Sequence, residues 1–114
     1  MKESQPQERR RHPRQPLVIR VAHYHANAYL YYYSQDLSLG GMFLQTREPF
    51  AVGTRLALDF ELPGRERRVE VEGEVARTVT AGLDDHVAVP GMGIAFTAID
   101  PASRAELAAF LESV

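Results

Sequence analysis

Apolar and polar residues alternate along much of the chain, which predicts short strands. In the clearest run, residues 56–62, every second residue is apolar, and Asp59 and Glu61 lie on the other face. A period of two is typical of a strand with one buried face, and Pro63-Gly64 ends this one with a turn. Similar patterns predict six strands, at residues 17–22, 27–34, 42–45, 56–62, 69–75 and 93–96.

The hydrophobic period changes near the end of the chain. Asp100 is a predicted N-cap and Pro101 suits a first helical turn, while the apolar stripe that follows has helical spacing: Leu107, Phe110, Leu111 and Val114. One amphipathic helix at about residues 101–113 is therefore expected to cover an open end of the sheet. Gly73, at a buried position of the fifth strand, indicates a bulge or bend.

Six short strands without intervening helices favour an antiparallel arrangement, either a barrel or a sandwich. A barrel leaves no exposed strand edges. The 114 residues, 45% of them hydrophobic, correspond to one globular domain. The fold class predicted is thus all-β: a six-stranded, Greek-key-like antiparallel β-barrel with one C-terminal α-helix.

Composition excludes several functions. The absence of cysteine removes disulfides, thiolate metal sites and a cysteine nucleophile. No stretch approaches the roughly 20 apolar residues of a membrane span, so we expect a soluble, cytoplasmic protein without membrane insertion. Residues 1–20 carry a charge of +4 and the remainder −6, with a single lysine in the chain. This asymmetry disfavours DNA or RNA and favours a compact anion.

The basic charge is concentrated in Glu8-Arg9-Arg10-Arg11-His12-Pro13-Arg14. Its guanidinium groups can form paired hydrogen bonds to phosphate or to the O6 and N7 atoms of guanine. Pro13 and Pro16 disfavour a helix here. Residues 1 to about 16 contain hardly any apolar residue and are predicted to be a mobile arm. The alternative is a solvated basic tail without a ligand.

A second polar cluster, Asp36-Leu37-Ser38-Leu39-Gly40-Gly41, is predicted to form a turn. Its carboxylate could accept the N1 and N2 hydrogens of guanine. Gly40-Gly41 would permit positive φ angles and a close backbone approach. In the alternative interpretation, Asp36 and Ser38 only satisfy their own turn and the glycines form the bend.

Together the two clusters resemble the hallmark of the PilZ domain family, an Arg-x-x-x-Arg segment followed by Asp/Asn-x-Ser-x-x-Gly. Here these are Arg10 to Arg14 and Asp36 to Gly41. Gly91-Met92-Gly93-Ile94-Ala95-Phe96 resembles the family's glycine-led last strand. By this resemblance residues 1–7 form a flexible arm and residues 8–114 a single domain.

The resemblance implies a non-catalytic receptor for cyclic di-GMP, a bacterial second messenger, whose arm changes conformation and signals to an unidentified protein partner. Arg10 and Arg14 would hold phosphates and guanine edges, and Asp36 and Ser38 would bond a guanine. Arg9 occupies the place of a third arginine associated with a stacked pair of ligands, which favours two ligands per site. The ligand-binding residues implied are Arg9, Arg10, Arg14, Asp36, Ser38, Gly40, Gly41 and Gly93.

Other candidate chemistry is weaker. His23, His25 and His86 do not form a demonstrable ligand set, so no metal is predicted. Tyr29, Tyr31 and Tyr33 share one strand face and are expected to pack on the helix or a partner rather than to stack bases. No catalytic cofactor or enzymatic activity is predicted.

Two other hypotheses remain open. One is an adaptor of the same fold that binds proteins through its tyrosines or helix and binds no nucleotide. The other is a single-stranded nucleic-acid binder, which the −6 charge beyond residue 20 disfavours. We expect a monomer or a weak homodimer.

Overall fold

The predicted strands are present and close into a barrel. The computed structural model describes residues 18–80 and 89–113, and within these ranges it contains β1 (Ile19–His25), β2 (Ala28–Leu37), β3 (Gly41–Gln45), β4 (Arg55–Glu61), β5 (Arg68–Val79), β6 (Gly91–Ile99) and α1 (Pro101–Ser113). Neighbouring strands are antiparallel, in the order β1-β2-β3-β6-β5-β4, and β4 pairs with β1 to close the barrel. The predicted fold class is confirmed.

The alternating residues of β4 and β5 supply much of the core. Leu56, Leu58 and Phe60 face inward and are almost fully buried. Gly73 lies beside a register shift between β5 and β6, as its position predicts. A Cβ at Gly73 would lie 2.5 Å from the Cγ2 atom of Ile94, so this place in the core has room only for glycine.

Helix α1 packs on the barrel through its predicted apolar stripe. Leu107 and Phe110 are buried and belong to the same hydrophobic cluster as the strand residues. Asp100 is the N-cap, since its Oδ1 atom accepts a hydrogen bond of 2.8 Å from the Ser103 amide. Ser103 is also buried, and its hydroxyl accepts a 3.0 Å bond from the Glu70 amide, which ties the helix to β5.

The cap makes stability depend on pH. The Ser103 amide, and secondly its hydroxyl, hold the pKa of Asp100 below its ordinary value. A lowered native pKa stabilises the fold above the unfolded-state pKa, and this stabilisation is lost as the pH falls through the native pKa. Asparagine can cap without titrating. We therefore expect the urea midpoint of Asp100→Asn to fall less than that of the wild type on acidification from about pH 5 to about pH 3.

Asp100→Ala is the matched control, because it removes both the cap and the titration. It should lower the urea midpoint at neutral pH, whereas Asp100→Asn should not. If the urea midpoint of Asp100→Asn fell on acidification as much as that of the wild type, Asp100 would not be the source of this pH dependence.

The β1–β2 hairpin carries the tyrosines on the outside of the barrel. Its two-residue turn is formed by Ala26 and Asn27, both in the left-handed region with φ of 52° and 66°. Tyr29, Tyr31 and Tyr33 are each more than half exposed. The rings therefore do not pack on the helix, and packing on a partner, the other expectation, stays a prediction.

In the ranges described, no helix is long and apolar enough to cross a bilayer.

Candidate functional site

A β-bulge in β2 determines where Asp36 points. Tyr33 pairs with Gln45 and Asp36 with Phe43, so β2 contains one more residue than β3 between these pairs. Strict alternation after the buried Ser34 would direct Asp36 into the core, whereas the bulge leaves it exposed. The Ser34 hydroxyl lies 3.3 Å from the Asp36 carbonyl oxygen and 3.4 Å from its amide, within the bulge. Asp36 is thus a strand residue and not part of the predicted turn.

A second bulge, in β5, determines where the Arg77 side chain points. Val75 pairs with Ile94 and Arg77 with Gly93, so Ala76 is the extra residue. Arg77 consequently occupies the exposed position opposite Gly93 that regular pairing would give to Ala76. Arg77 was missed by sequence reasoning, because its position depends on a register that only the paired strands define.

The two bulges align Asp36 and Arg77 on one row of the barrel surface. Cross-strand pairing runs from Asp36 to Phe43, then Gly93, then Arg77. Three strand spacings separate the ends of the row, a distance of about 14 Å. A carboxylate therefore lies on one side and a guanidinium on the other, with glycine in the floor between them.

Glycines on the outer face of β6 let neighbouring side chains lie flat on the sheet. A Cβ at Gly91 would lie 2.6 Å from the Phe43 ring, and one at Gly93 would lie 3.1 Å from the Arg77 Cγ atom. The Arg77 guanidinium lies 5.4 Å from the centre of the Phe43 ring. Phe43 was also missed, although Gly91-x-Gly93 within a strand was a signal for a close approach of this kind.

The turn between β2 and β3 is held by its own hydrogen bonds. The Ser38 amide donates to the Gly41 carbonyl over 2.9 Å, and the Ser38 hydroxyl accepts a 3.2 Å bond from the Gly40 amide. The Gly40 carbonyl accepts from the Phe96 amide of β6 at 2.9 Å. Ser38 therefore satisfies its turn, whereas among the residues described the Asp36 carboxylate accepts no hydrogen bond.

The two turn glycines have different roles. Neither has a positive φ, so that expectation is wrong for both. The predicted close approach holds for Gly41, because a Cβ there would collide with the carbonyl oxygen of Ile94. Gly40 faces open space, with nothing within 4 Å of its Cβ position.

These elements surround a shallow depression of about 350 Å³. It brings together five of the predicted site residues with the two that were missed, and its lining includes Asp36, Ser38, Gly40, Gly41, Phe43, Arg77 and Gly93. Arg9, Arg10 and Arg14 lie outside the described residues, as does the predicted mobile arm. The described part of the site thus combines a free carboxylate, a hydroxyl, exposed backbone and a guanidinium above an aromatic ring.

The histidines form a separate group. The Nδ1 atom of His23 lies 3.1 Å from the Ala57 carbonyl oxygen, and its ring stacks on His25 with centroids 5.6 Å apart. His86 lies outside the described residues. Across residues 18–80 and 89–113, no three histidine, aspartate or glutamate side chains are grouped so as to hold a metal ion.

A family model for the PilZ domain matches residues 8–113, which include both the arginine segment and the depression. The chain belongs to the PilZ domain family. Comparison with curated protein sequences gives no match.

Two solved PilZ-type structures share the fold. MotI/DgrA, the inhibitor of motility of Bacillus subtilis, has a TM-score of 0.70 and 23% identity over 90% of this chain and 49% of its own. This PilZ chain therefore spans about half the length of MotI. The PilZ domain of YcgR from Escherichia coli, solved with c-di-GMP, has a TM-score of 0.63 and 21% identity over 84% of this chain and 80% of that one.

Proposed function

We propose that this PilZ domain is a non-catalytic receptor for cyclic di-GMP, bound at the depression between Asp36 and Arg77. The observation that carries the proposal is the row from Asp36 to Arg77, which two bulges place on one surface. Family membership and the YcgR PilZ domain with c-di-GMP support the choice of ligand. Among the described residues the Ser38 hydroxyl bonds only to backbone atoms of its turn, and no histidine or carboxylate there activates it as a nucleophile, which favours a receptor over an enzyme.

The groups in the depression fit a guanine. Asp36 offers a carboxylate for the N1 and N2 hydrogens of the base, and the Ser38 hydroxyl lies beside it on the same lining. The Arg77 side chain covers the Cβ position of Gly93, so a base over that glycine would lie on Arg77. The planar guanidinium of Arg77, supported by the Phe43 ring, can stack on the face of the base.

The N-terminal arginines are within reach of this surface. Arg14 is five residues before Ile19, which pairs with Ser34 beside the β2 bulge. Five extended residues span at most about 17 Å. We propose that Arg10 and Arg14 hold the phosphates and the outer guanine edges, that Arg9 supports a second stacked ligand, and that the bound ligand orders the arm for recognition by a partner protein.

Calorimetric titration of the full chain with cyclic di-GMP tests the proposal. We expect two ligands per chain, and one after Arg9→Ala. Arg14→Ala should weaken binding by about 2 kcal/mol, because charged contacts to phosphate or base edges are lost. Absence of binding at micromolar ligand would refute the receptor function and favour the nucleotide-independent adaptor.

The Arg77 side chain provides a further prediction. Removing its stacking surface in Arg77→Ala should weaken cyclic di-GMP binding about tenfold, with Arg77→Lys nearly as weak because an ammonium has no planar face. Arg77 is exposed, so losing its contact with the Phe43 ring should lower the free energy of unfolding in urea by no more than about 1 kcal/mol. The control is Arg55→Ala, which removes an exposed arginine from β4, away from the depression. It should bind cyclic di-GMP normally. Equal affinity of Arg77→Ala and the control would exclude the stacking role.

A further inference from the structure

A second concave surface, with a volume of about 510 Å³, lies on the outer face of the barrel and is lined by residues of β1, β2, β4, β5 and β6. One wall consists of Tyr24 and Tyr29, which are cross-strand partners with rings 5.0 Å apart in a T-shaped arrangement. Both rings are more than half exposed. We call this surface the tyrosine–glutamate groove, because Glu70 and Glu72 of β5 form its other wall.

Small residues make the surface concave. Glu72 pairs with Ala57 on one side and Ala98 on the other, and both alanines line the groove. A methyl group on each neighbouring strand leaves space between the tyrosine wall and the carboxylate wall. An extended side chain can therefore enter between an aromatic face and two negative charges.

The acidic residues around the groove differ in what they bind. Asp59 forms an ion pair with Arg68, and Asp100 caps α1. Within the described part of the chain, no basic side chain pairs with the carboxylate of Glu70 or Glu72. These two carboxylates are the charges that a ligand would meet.

The tyrosines of this hairpin already hold a cation in one place. The Arg20 guanidinium lies 4.8 Å from the centre of the Tyr31 ring, and Tyr31 stacks on Tyr29 with centroids 6.3 Å apart. Tyr29 continues the same row of rings into the groove. A guanidinium or ammonium there would gain a ring face together with two carboxylates, which favours a cation over an apolar or anionic group.

We propose that the tyrosine–glutamate groove docks an arginine- or lysine-bearing segment of a partner protein. The charge of −6 beyond residue 20 supports a cationic partner and opposes nucleic acid. This surface shares no lining residue with the depression between Asp36 and Arg77, so the proposal does not depend on nucleotide binding.

The test is fluorescence anisotropy of the full chain with a labelled peptide of alternating arginine and serine. The control peptide has citrulline at each arginine, which keeps the shape and removes the charge. We expect the arginine peptide to bind, increasingly weakly as salt is added, and the citrulline peptide not to bind. Glu70→Gln with Glu72→Gln, and separately Tyr29→Leu, should each weaken binding about tenfold.

Two variants serve as matched controls. Tyr33→Leu removes an exposed ring from the same strand outside the groove, and Glu112→Gln removes an exposed carboxylate from α1. Both should bind the arginine peptide normally. Asp36→Ala should also bind the arginine peptide. Loss of cyclic di-GMP binding and loss of peptide binding are therefore separate results.

Three outcomes would overturn the proposal. The first is no binding of the arginine peptide by the full chain. The second is binding that is equally strong in the groove variants and the controls. The third is binding that appears only after Arg9, Arg10 and Arg11 are replaced by glutamine, which would assign the groove to the chain's own basic segment rather than to a partner.

Discussion

Asp36→Ala should reduce cyclic di-GMP affinity roughly a hundredfold, by about 3 kcal/mol, because a carboxylate bonded to two guanine hydrogens is replaced by a methyl group. The Asp36 side chain is exposed and its carboxylate holds no hydrogen bond among the described residues. The urea midpoint should consequently remain that of the wild type. Isothermal titration calorimetry and urea unfolding of the same preparation measure both quantities.

Glu48→Ala is the control, since it removes an exposed carboxylate from the β3–β4 connection, outside the depression. It should leave cyclic di-GMP affinity unchanged. If Asp36→Ala bound as tightly as this control, the guanine would have to be recognised elsewhere on the barrel.

Gly41→Ala should destabilise the fold by about 3 kcal/mol, because its Cβ would collide with the backbone carbonyl of Ile94 on β6. A backbone oxygen within a paired strand cannot move aside as a flexible side chain can. Gly41 pairs with Ala95, so the two strands would have to separate at this point. The free energy of unfolding in urea measures the effect.

Gly40→Ala provides a neighbouring control in the same motif. Gly40 has open space around its Cβ position and no positive φ, so its substitution should change stability by less than about 0.5 kcal/mol. Equal destabilisation by the two substitutions would show that the motif needs glycine for the bend rather than for the contact with β6.

The sequence predicted the parts of the fold that depend on local pattern. Alternation identified β4 and β5, and the change of period together with Asp100 identified α1 and its cap. These predictions succeeded because a buried face or a cap requires particular residue types at fixed spacings. The order of the two polar clusters also indicated the family correctly.

The features that the sequence did not predict depend on contacts between distant segments. The directions of Asp36 and Arg77 follow from strand register. The close approach predicted for Gly40-Gly41 is made by Gly41 alone, and the residue that requires it, Ile94, lies far along the chain. In β2, apolar rings occupy both faces, so alternation does not distinguish the buried Tyr32 from its exposed neighbours Tyr31 and Tyr33. Whether each of these side chains is buried or exposed is determined by its partners on the neighbouring strands.

The two bulges have a consequence for how this surface can vary. If Gln35 instead of Asp36 paired with Phe43, or Ala76 instead of Arg77 paired with Gly93, the bulge would be lost and Asp36 or Arg77 would turn toward the core without either residue being altered. Strand register at these places therefore determines the chemistry of the surface, and a one-residue shift there is a functional change even where every motif residue is retained. A comparison of motif letters alone would not detect it.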